Sequence, residues 1–499
     1  MSNSRTNPSR WLLPVLLTVQ FLVSLDVSVV NIALPDIGSG LGFAPASLAW
    51  VVNAYALTFG GLLMLGGRLA DVAGRRRMLV AGFAVFGAAS LAGGLAQAPG
   101  QLIAARAVQG AGAAALAPVA LALITVTYAP GRARSRALGL WGAAGAVGGA
   151  VGVLAGGLLT DWAGWRSVML VNVPVVAAAL AVTGRAVRGD GRPDAADRPR
   201  LDLVGALLVT AGTALLVLGL AQTESHGWSS WRSTGVLLAA GLLLTAFTVT
   251  ELRVRHPLLR LGLLADGPVL AANVFALLMS AGQFAAFYFT SLYVQRVLGY
   301  GPTAAGAAFL PFCAGIVVGT AVATRLMGRL GAGRLLTAGG LLGATGLALW
   351  ALTVSVDGGY ALSVLLPSLV TSVGTGMCFV PLGTAATDGV APAETGMASG
   401  LLNTSRQLGG AIGLGVLVTV AAARYATSDP QALVDGYRTA YWAAAALMTA
   451  AAAAAGLLTA GRSTGSGGPR SDERRRGEAL VSATSRYRRQ TPGLPTPPV

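Results

Sequence analysis

The feature that most constrains this chain is a recurring apolar run of about twenty residues, with nearly all charge confined to the short gaps between runs. A bilayer offers no water to backbone N–H and C=O groups, so a spanning segment must satisfy them internally, as an α-helix does. Fourteen stretches have the required length: 11–34, 48–67, 78–96, 102–123, 137–159, 166–184, 203–221, 234–251, 268–290, 303–324, 335–355, 360–381, 399–422 and 440–461. The expected fold is all-α, a polytopic membrane protein. Composition agrees, with 11% charged and 54% hydrophobic residues. A soluble domain carries roughly a quarter of its residues charged. The first run contains Asp26, exceeds the length of a secretory leader and precedes no cleavage site, so it reads as the first span.

The net charge is +16, and every basic residue is Arg. Such a balance suggests nucleic acid in a soluble chain, but here the Arg residues track topology and no nucleic-acid partner is expected. With a cytoplasmic N-terminus, the inside gaps hold twenty Arg and the outside gaps five, which are Arg166, Arg232, Arg296, Arg424 and Arg438. That asymmetry follows the positive-inside rule and places both termini in the cytoplasm of a bacterial cell, with the chain in the cytoplasmic membrane. Only the inside gap 382–398 holds no Arg. Residues 462–499 are rich in Arg, Ser, Gly and Pro and read as a disordered cytoplasmic tail, either merely solvated or touching anionic lipid. Cys313 and Cys378 fall inside apolar runs, and His226 and His256 in gaps. No metal set, disulfide frame, phosphate loop or nucleophile–base–acid set emerges, so neither an enzyme nor a cofactor is expected.

The chain repeats itself. RLADVAGRRRMLVAG from Arg68 aligns with RLMGRLGAGRLLTAG from Arg325, pairing Gly74 with Gly331 and Arg77 with Arg334. Each stretch follows the second span of a six-span block. The expected organisation is a short N-terminus (1–10), a six-helix bundle (11–184), a linker with two extra spans (185–267), a second bundle (268–461) and the tail (462–499). Repeated bundles around a central site are a transporter architecture.

Asp26 is the carboxylate placed deep inside a span, where charge is costly and marks function. At 1.5 Å per residue it lies about 10 Å below the outer surface, and Arg106, entering from outside on the fourth span, lies about 8 Å deep. The two share a level and can pair. Either the pair carries protons as its surroundings change, or it is a static bridge that fixes helix packing. Gln109 shares a helix face with Arg106, while Gly110 and Gly112 allow a close neighbour. Gly145, Gly149, Gly152, Gly156 and Gly157 recur at spacings that form a groove for a helix crossing. In the loop 67–77, Gly67 and Gly74 permit a tight turn, Asp71 can cap a helix or pair with Arg, and Arg75, Arg76 and Arg77 anchor the cytoplasmic side. Tyr55, Trp141, Asn273, Gln283, Tyr288, Asn403, Arg406 and Gln407 are polar or aromatic residues within spans. They are candidates to line a substrate cavity, or simply to glue helices together.

These motifs together resemble the major facilitator superfamily, and within it the fourteen-span drug:proton antiporters. LDVSVVNIALP (25–35) is similar to that family's first-span motif, GRLADVAGRRR (67–77) to the superfamily's signature loop, and RAVQGAGAA (106–114) to its fourth-span motif. WRSVMLVNVPV (165–175) and GMASGLLNTSRQLGGAIG (396–413) are also family-like. The resemblance implies that Asp26 couples protons beside Asn31 and Pro35, that Arg106 assists proton transfer, and that Asp71 and Arg75 lock the bundles in one state. Val153 stands where the fifth-span motif has proline, and Gly328 where the first loop has Asp71, so the lock is expected on one side only. Because Asp26 is the deep acid, the expected cargo is a neutral, anionic or singly charged amphiphile, such as an antibiotic, moved by a monomer against protons. A facilitator or importer on the same fold, and a non-transporting protein recruiting a partner through its tail, remain as alternatives.

Overall fold

The computed structural model describes residues 9–464 apart from 129–131, 188–201, 227–229, 255–260, 266, 389, 391–393 and 424–429. Among the described residues the regular elements are helical. The first bundle comprises α1 (Leu12–Leu41), α2 (Pro45–Leu48), α3 (Trp50–Ala73), α4 (Arg75–Gly94), α5 (Pro99–Thr127), α6 (Arg132–Ala163), α7 (Arg166–Leu170) and α8 (Asn172–Ala186). Next come α9 (Leu203–His226) and α10 (Trp231–Arg253), followed by α11 (Gly267–Leu292), α12 (Pro302–Ala308), α13 (Leu310–Thr353), α14 (Leu366–Thr387), α15 (Thr395–Ala422) and α16 (Pro430–Thr464). The basic tail beyond Thr464, most of the linker before α9 and the Asp71 side chain lie outside the described residues.

Among the described residues, twelve helices are long and apolar enough to cross a membrane, where the sequence led us to expect fourteen. The difference arises at two places. Pro302–Thr353 counts as one 52-residue segment, although α13 breaks inside it at Gly331, and α16 is not among the twelve.

Helix ends follow local chemistry. At Gly74, φ is +92°, and at its repeat partner Gly331 it is +74°. A side chain is strained in that region, so glycine alone turns the chain there without cost. The repeat read from sequence is thus also a repeat of backbone conformation.

Helix α1 packs along α6, α3 along α5, and α4 between α5 and α8, while α13 packs on α14 and α16, and α11 on α15 and α16. The two sets meet along three seams: α3 with α15, α6 with α12, and α1 with α11. Helix α9 lies across the first seam, touching both α3 and α15, and α10 packs outside it. On α10, Leu238, Leu242 and Leu252 are exposed, a surface suited to lipid.

Candidate functional site

The groove on α6 determines where Asp26 sits. A side chain on Gly148 would meet the Phe21 backbone, one on Gly152 would lie 2.8 Å from the Leu25 carbonyl oxygen, and one on Gly156 would lie 2.9 Å from that of Val29. Helix α1 therefore lies directly against the α6 backbone, with Phe21, Leu25 and Val29 one turn apart. Gly145 approaches Gln20, one turn further along. Gly157 belongs to a different contact, receiving Pro302 and Thr303 of α12, and Gly149 has only Ser28 at 3.7 Å. Spacing alone did not separate these two from the α1-facing set, and it did not single out Gly148.

With α1 held there, Asp26 is fully buried and meets Arg106 Nη1 at 2.5 Å. Gln109 Nε2 and Asn172 Nδ2 donate to its other oxygen at 2.7 and 2.8 Å. Both amides also donate to Ser90 Oγ, at 3.0 Å each, and that hydroxyl donates to the Met169 carbonyl. Arg106 further donates to Gln109 Oε1 at 2.7 Å and, through Nε, to the Val51 carbonyl at 3.0 Å. Its guanidinium lies 4.4 Å from the centre of the Tyr55 ring. Six helices (α1, α3, α4, α5, α7 and α8) thus meet in one buried polar network. Both carboxylate oxygens are satisfied by charged or amide donors, as a buried anion requires.

Sequence reasoning named Asp26, Arg106 and Gln109, but not Ser90 or Asn172. A signal for Asn172 was present, since it lies inside the family-like WRSVMLVNVPV stretch. Ser90 is an ordinary serine in an apolar run, and only packing gives it a partner. Gly110 and Gly112 serve helix contacts, with Tyr55 and Thr58 of α3 and with Phe86 of α4 respectively.

Above the network is a small cavity lined by Val27, Val30, Asn31, Val52, Tyr55, Ala56, Arg106, Phe284 and Gln407. Its volume is about 10 Å³, room for roughly one water. Of the residues expected to line a cavity, Tyr55 and Gln407 do so, and the buried Tyr55 hydroxyl has no hydrogen-bond partner. Others have different roles. Asn273 donates to Val269 O and accepts from Ser405 at 2.8 Å, bonding α11 to α15. Asn403 is exposed and donates to its own helix at Ser399 O. Trp141 packs on the first bundle's core, and Tyr288 lies edge-on to Phe289 in the second. Gln283 is partly buried on α11. Arg406 projects from α15 over the Phe379 ring.

Pro35 acts through what it lacks. Without an N–H it cannot bond the carbonyl four residues back, which is that of Asn31. That oxygen instead accepts from Ser291 Oγ of α11 at 2.7 Å, and the next carbonyl, Ile32 O, accepts from Gln295 Nε2 at 2.9 Å. The Asn31 side chain donates to Val27 O. Nearby, Asp161 of α6 accepts from the Thr303 N–H at the start of α12. These bonds close the two helix sets at this end. In the signature loop, Gly67 lies near Pro118 and Gly74 makes the turn, while Arg76 and Arg77 are exposed and Arg75 is partly buried.

The family model described as Major Facilitator Superfamily matches residues 16–414. The cephamycin export protein of Amycolatopsis lactamdurans is 45% identical over 441 residues, covering 88% of this chain and 90% of that relative. The puromycin resistance protein of Streptomyces alboniger is 42% identical over 450 residues, covering 88% of each. Among solved structures, a POT family transporter superposes with a TM-score of 0.67 at 15% identity, covering 90% of this chain and 95% of that one. The xylose transporter of E. coli, partially occluded and inward open, gives 0.60 at 14%, covering 88% and 95%. The structural likenesses establish the shared fold.

Proposed function

The chain belongs to the major facilitator superfamily and is a multi-pass membrane transporter rather than an enzyme, and from that premise we propose that it exports a small amphiphilic antibiotic in exchange for protons. Relatives named for cephamycin export and puromycin resistance support export over uptake. The single observation that carries the coupling is the buried Asp26 network beside the cavity. Three donors hold the carboxylate, so moving any one of them changes the surroundings of Asp26. Arg106 and Tyr55 belong both to that network and to the cavity wall. A guest that displaces either therefore alters the surroundings of Asp26, and protonation of Asp26 alters the wall presented to the guest.

A drug-sized site needs about 300–1,000 Å³, far more than the cavity offers here, so the bundles must part to admit cargo. Alternating access supplies that motion, with the Asn31–Ser291, Ile32–Gln295 and Asp161–Thr303 bonds closing the extracellular end. In this reading the chain has fourteen spans: dividing 302–353 at Gly331 and adding α16 brings the twelve to that number. Two six-helix bundles flank α9 and α10, both termini lie in the cytoplasm of a bacterial cell, and a monomer suffices.

The test is an antibiotic panel in a host lacking its own pumps, comparing wild type with Asp26→Asn. Resistance with wild type that falls to the empty-vector level with Asp26→Asn is expected. Resistance that persists unchanged in the variant sinks the proton-carrier role, and no protection by wild type against any compound sinks antibiotic export.

A further inference from the structure

The central helices carry an unbalanced charge. Among the described residues the buried acids are Asp26, Asp202 and Glu251. Asp26 is taken up by Arg106 and two amides, and the other two lie at the start of α9 and the end of α10, outside the seams between the bundles. Arg406, in contrast, has no carboxylate or carbonyl partner among the described residues. Its Nε is buried and unsatisfied, and the aromatic ring of Phe379 at 4.8 Å is its one compensating contact. A ring face offsets only part of what a cation loses on leaving water. Arginine's planar fork is also the side chain best suited to grip an oxyanion through two bonds.

Arg406 is not itself in the cavity wall but is the neighbour of Gln407, which is. Arg406 lies one turn before Gly410, on the same face of α15. Gly410 abuts the Phe284 ring, which lines the cavity, and Gln407 lines it too. Arg406 is partly exposed as a residue, while its Nε is buried without a partner.

We propose that Arg406 is the anion-recognition residue of the transport site, with Phe379 and Phe284 receiving the apolar body, and that the preferred cargo is an amphiphile bearing one carboxylate or sulfonate. This rests on the export reading above. An organic anion supplies a counter-charge to Arg406, whereas a cationic guest finds, among the described residues, no buried acid at the seams beyond the engaged Asp26 and meets Arg406 as a like charge.

The test uses two probes that share a skeleton and differ by one sulfonate: 8-anilinonaphthalene-1-sulfonate and uncharged N-phenyl-1-naphthylamine. Binding is measured by fluorescence to the full chain in nanodiscs at pH 7, with empty nanodiscs subtracted, for wild type, Arg406→Gln and Arg406→Lys. A charge-assisted bond contributes about tenfold or more to affinity. The sulfonate should therefore bind at least about tenfold more weakly to Arg406→Gln and much less weakened to Arg406→Lys, while the neutral probe is unchanged. Equal weakening of both probes, no weakening, or no binding of the sulfonate to wild type overturns the proposal. A second measurement needs no variant: octanoate should displace the neutral probe from wild type at concentrations about tenfold or more below those of octylamine, and equal or reversed potency overturns the proposal. Transport of the neutral probe in proteoliposomes separates the two readings. Anion-selective binding without proton-driven transport sinks the export reading and keeps the anion site, whereas transport without anion preference does the reverse.

Discussion

Arg106 shows how a membrane protein keeps an ion pair in a dry interior. Asp26, Gln109, the Val51 carbonyl and the Tyr55 ring all approach one guanidinium. Burying two charges costs several kcal/mol each, and their attraction offsets this only where the remaining bonding groups are also satisfied. Removing one partner strands the other. Arg106→Gln should therefore destabilise the protein by about 3–5 kcal/mol, read as a lower melting temperature in detergent. The double variant Arg106→Gln with Asp26→Asn should recover much of that loss, because no unpaired charge is left. Additive losses would show that the pair contributes less than its geometry suggests. Asn172→Ala removes one donor and should cost about 1.5–3 kcal/mol in the same measurement, less than Arg106→Gln. Pairing was legible beforehand for Asp26 and Arg106, since counting residues along two antiparallel helices yields depth. Asn172 and Ser90 join them through the packing of α4 and α8, which no spacing encodes. Asn273 and Asn403 illustrate the converse: a polar residue in a span looks the same in sequence whether it faces a cavity, a neighbouring helix or its own backbone.

At the scale of elements, small residues do the positioning. Helix α1 lies in the α6 groove because Gly148, Gly152 and Gly156 place no atoms between the backbones. In lipid there is no hydrophobic drive for helices to associate, so such close contact is a main source of cohesion. A side chain at Gly152 would collide with Ser28 as well as the Leu25 backbone, and backbone cannot swing aside. Gly152→Val should therefore shift α1, abolish transport and cost about 1–3 kcal/mol or more. Gly142→Val, on the same helix but with no neighbouring atom within 4 Å of where its β-carbon would stand, should be tolerated. Equal tolerance of both changes, measured by thermal unfolding and resistance, would rule out the groove as the device that holds Asp26. The extra pair behaves differently. Helix α9 places Thr210 against Gly61 of α3 and Val217 against Gly415 of α15, so it bridges the bundles along one seam, whereas α10 shows its leucines outward.

Across the whole molecule, the closed end depends on a proline. Pro35 frees the Asn31 carbonyl, and Ser291 from the other bundle takes it. Pro35→Ala restores an N–H that can bond Asn31 O within α1 and so competes with Ser291. The expected outcome is a population shifted toward opening at this end. Spin labels at the exposed Ser39 and Gly301, read by distance measurements, should report longer separations in the variant. An unchanged distribution would show that the Ser291 bond does not hold this end closed.

Some of this was determined by sequence alone. A spanning helix satisfies its own backbone, so the apolar runs, the clustering of Arg in alternate gaps and the turns at Gly74 and Gly331 are local properties that can be read residue by residue. Only the tertiary structure decided which helices meet, that Ser90 and Asn172 complete the Asp26 site, that Gly157 faces α12 rather than α1, and that a cavity the size of one water adjoins that site. The physical reason is that glycine- and alanine-rich helix surfaces fit many partners almost equally well. The choice among them is made by long-range packing, where contacts between residues distant in the chain are formed together.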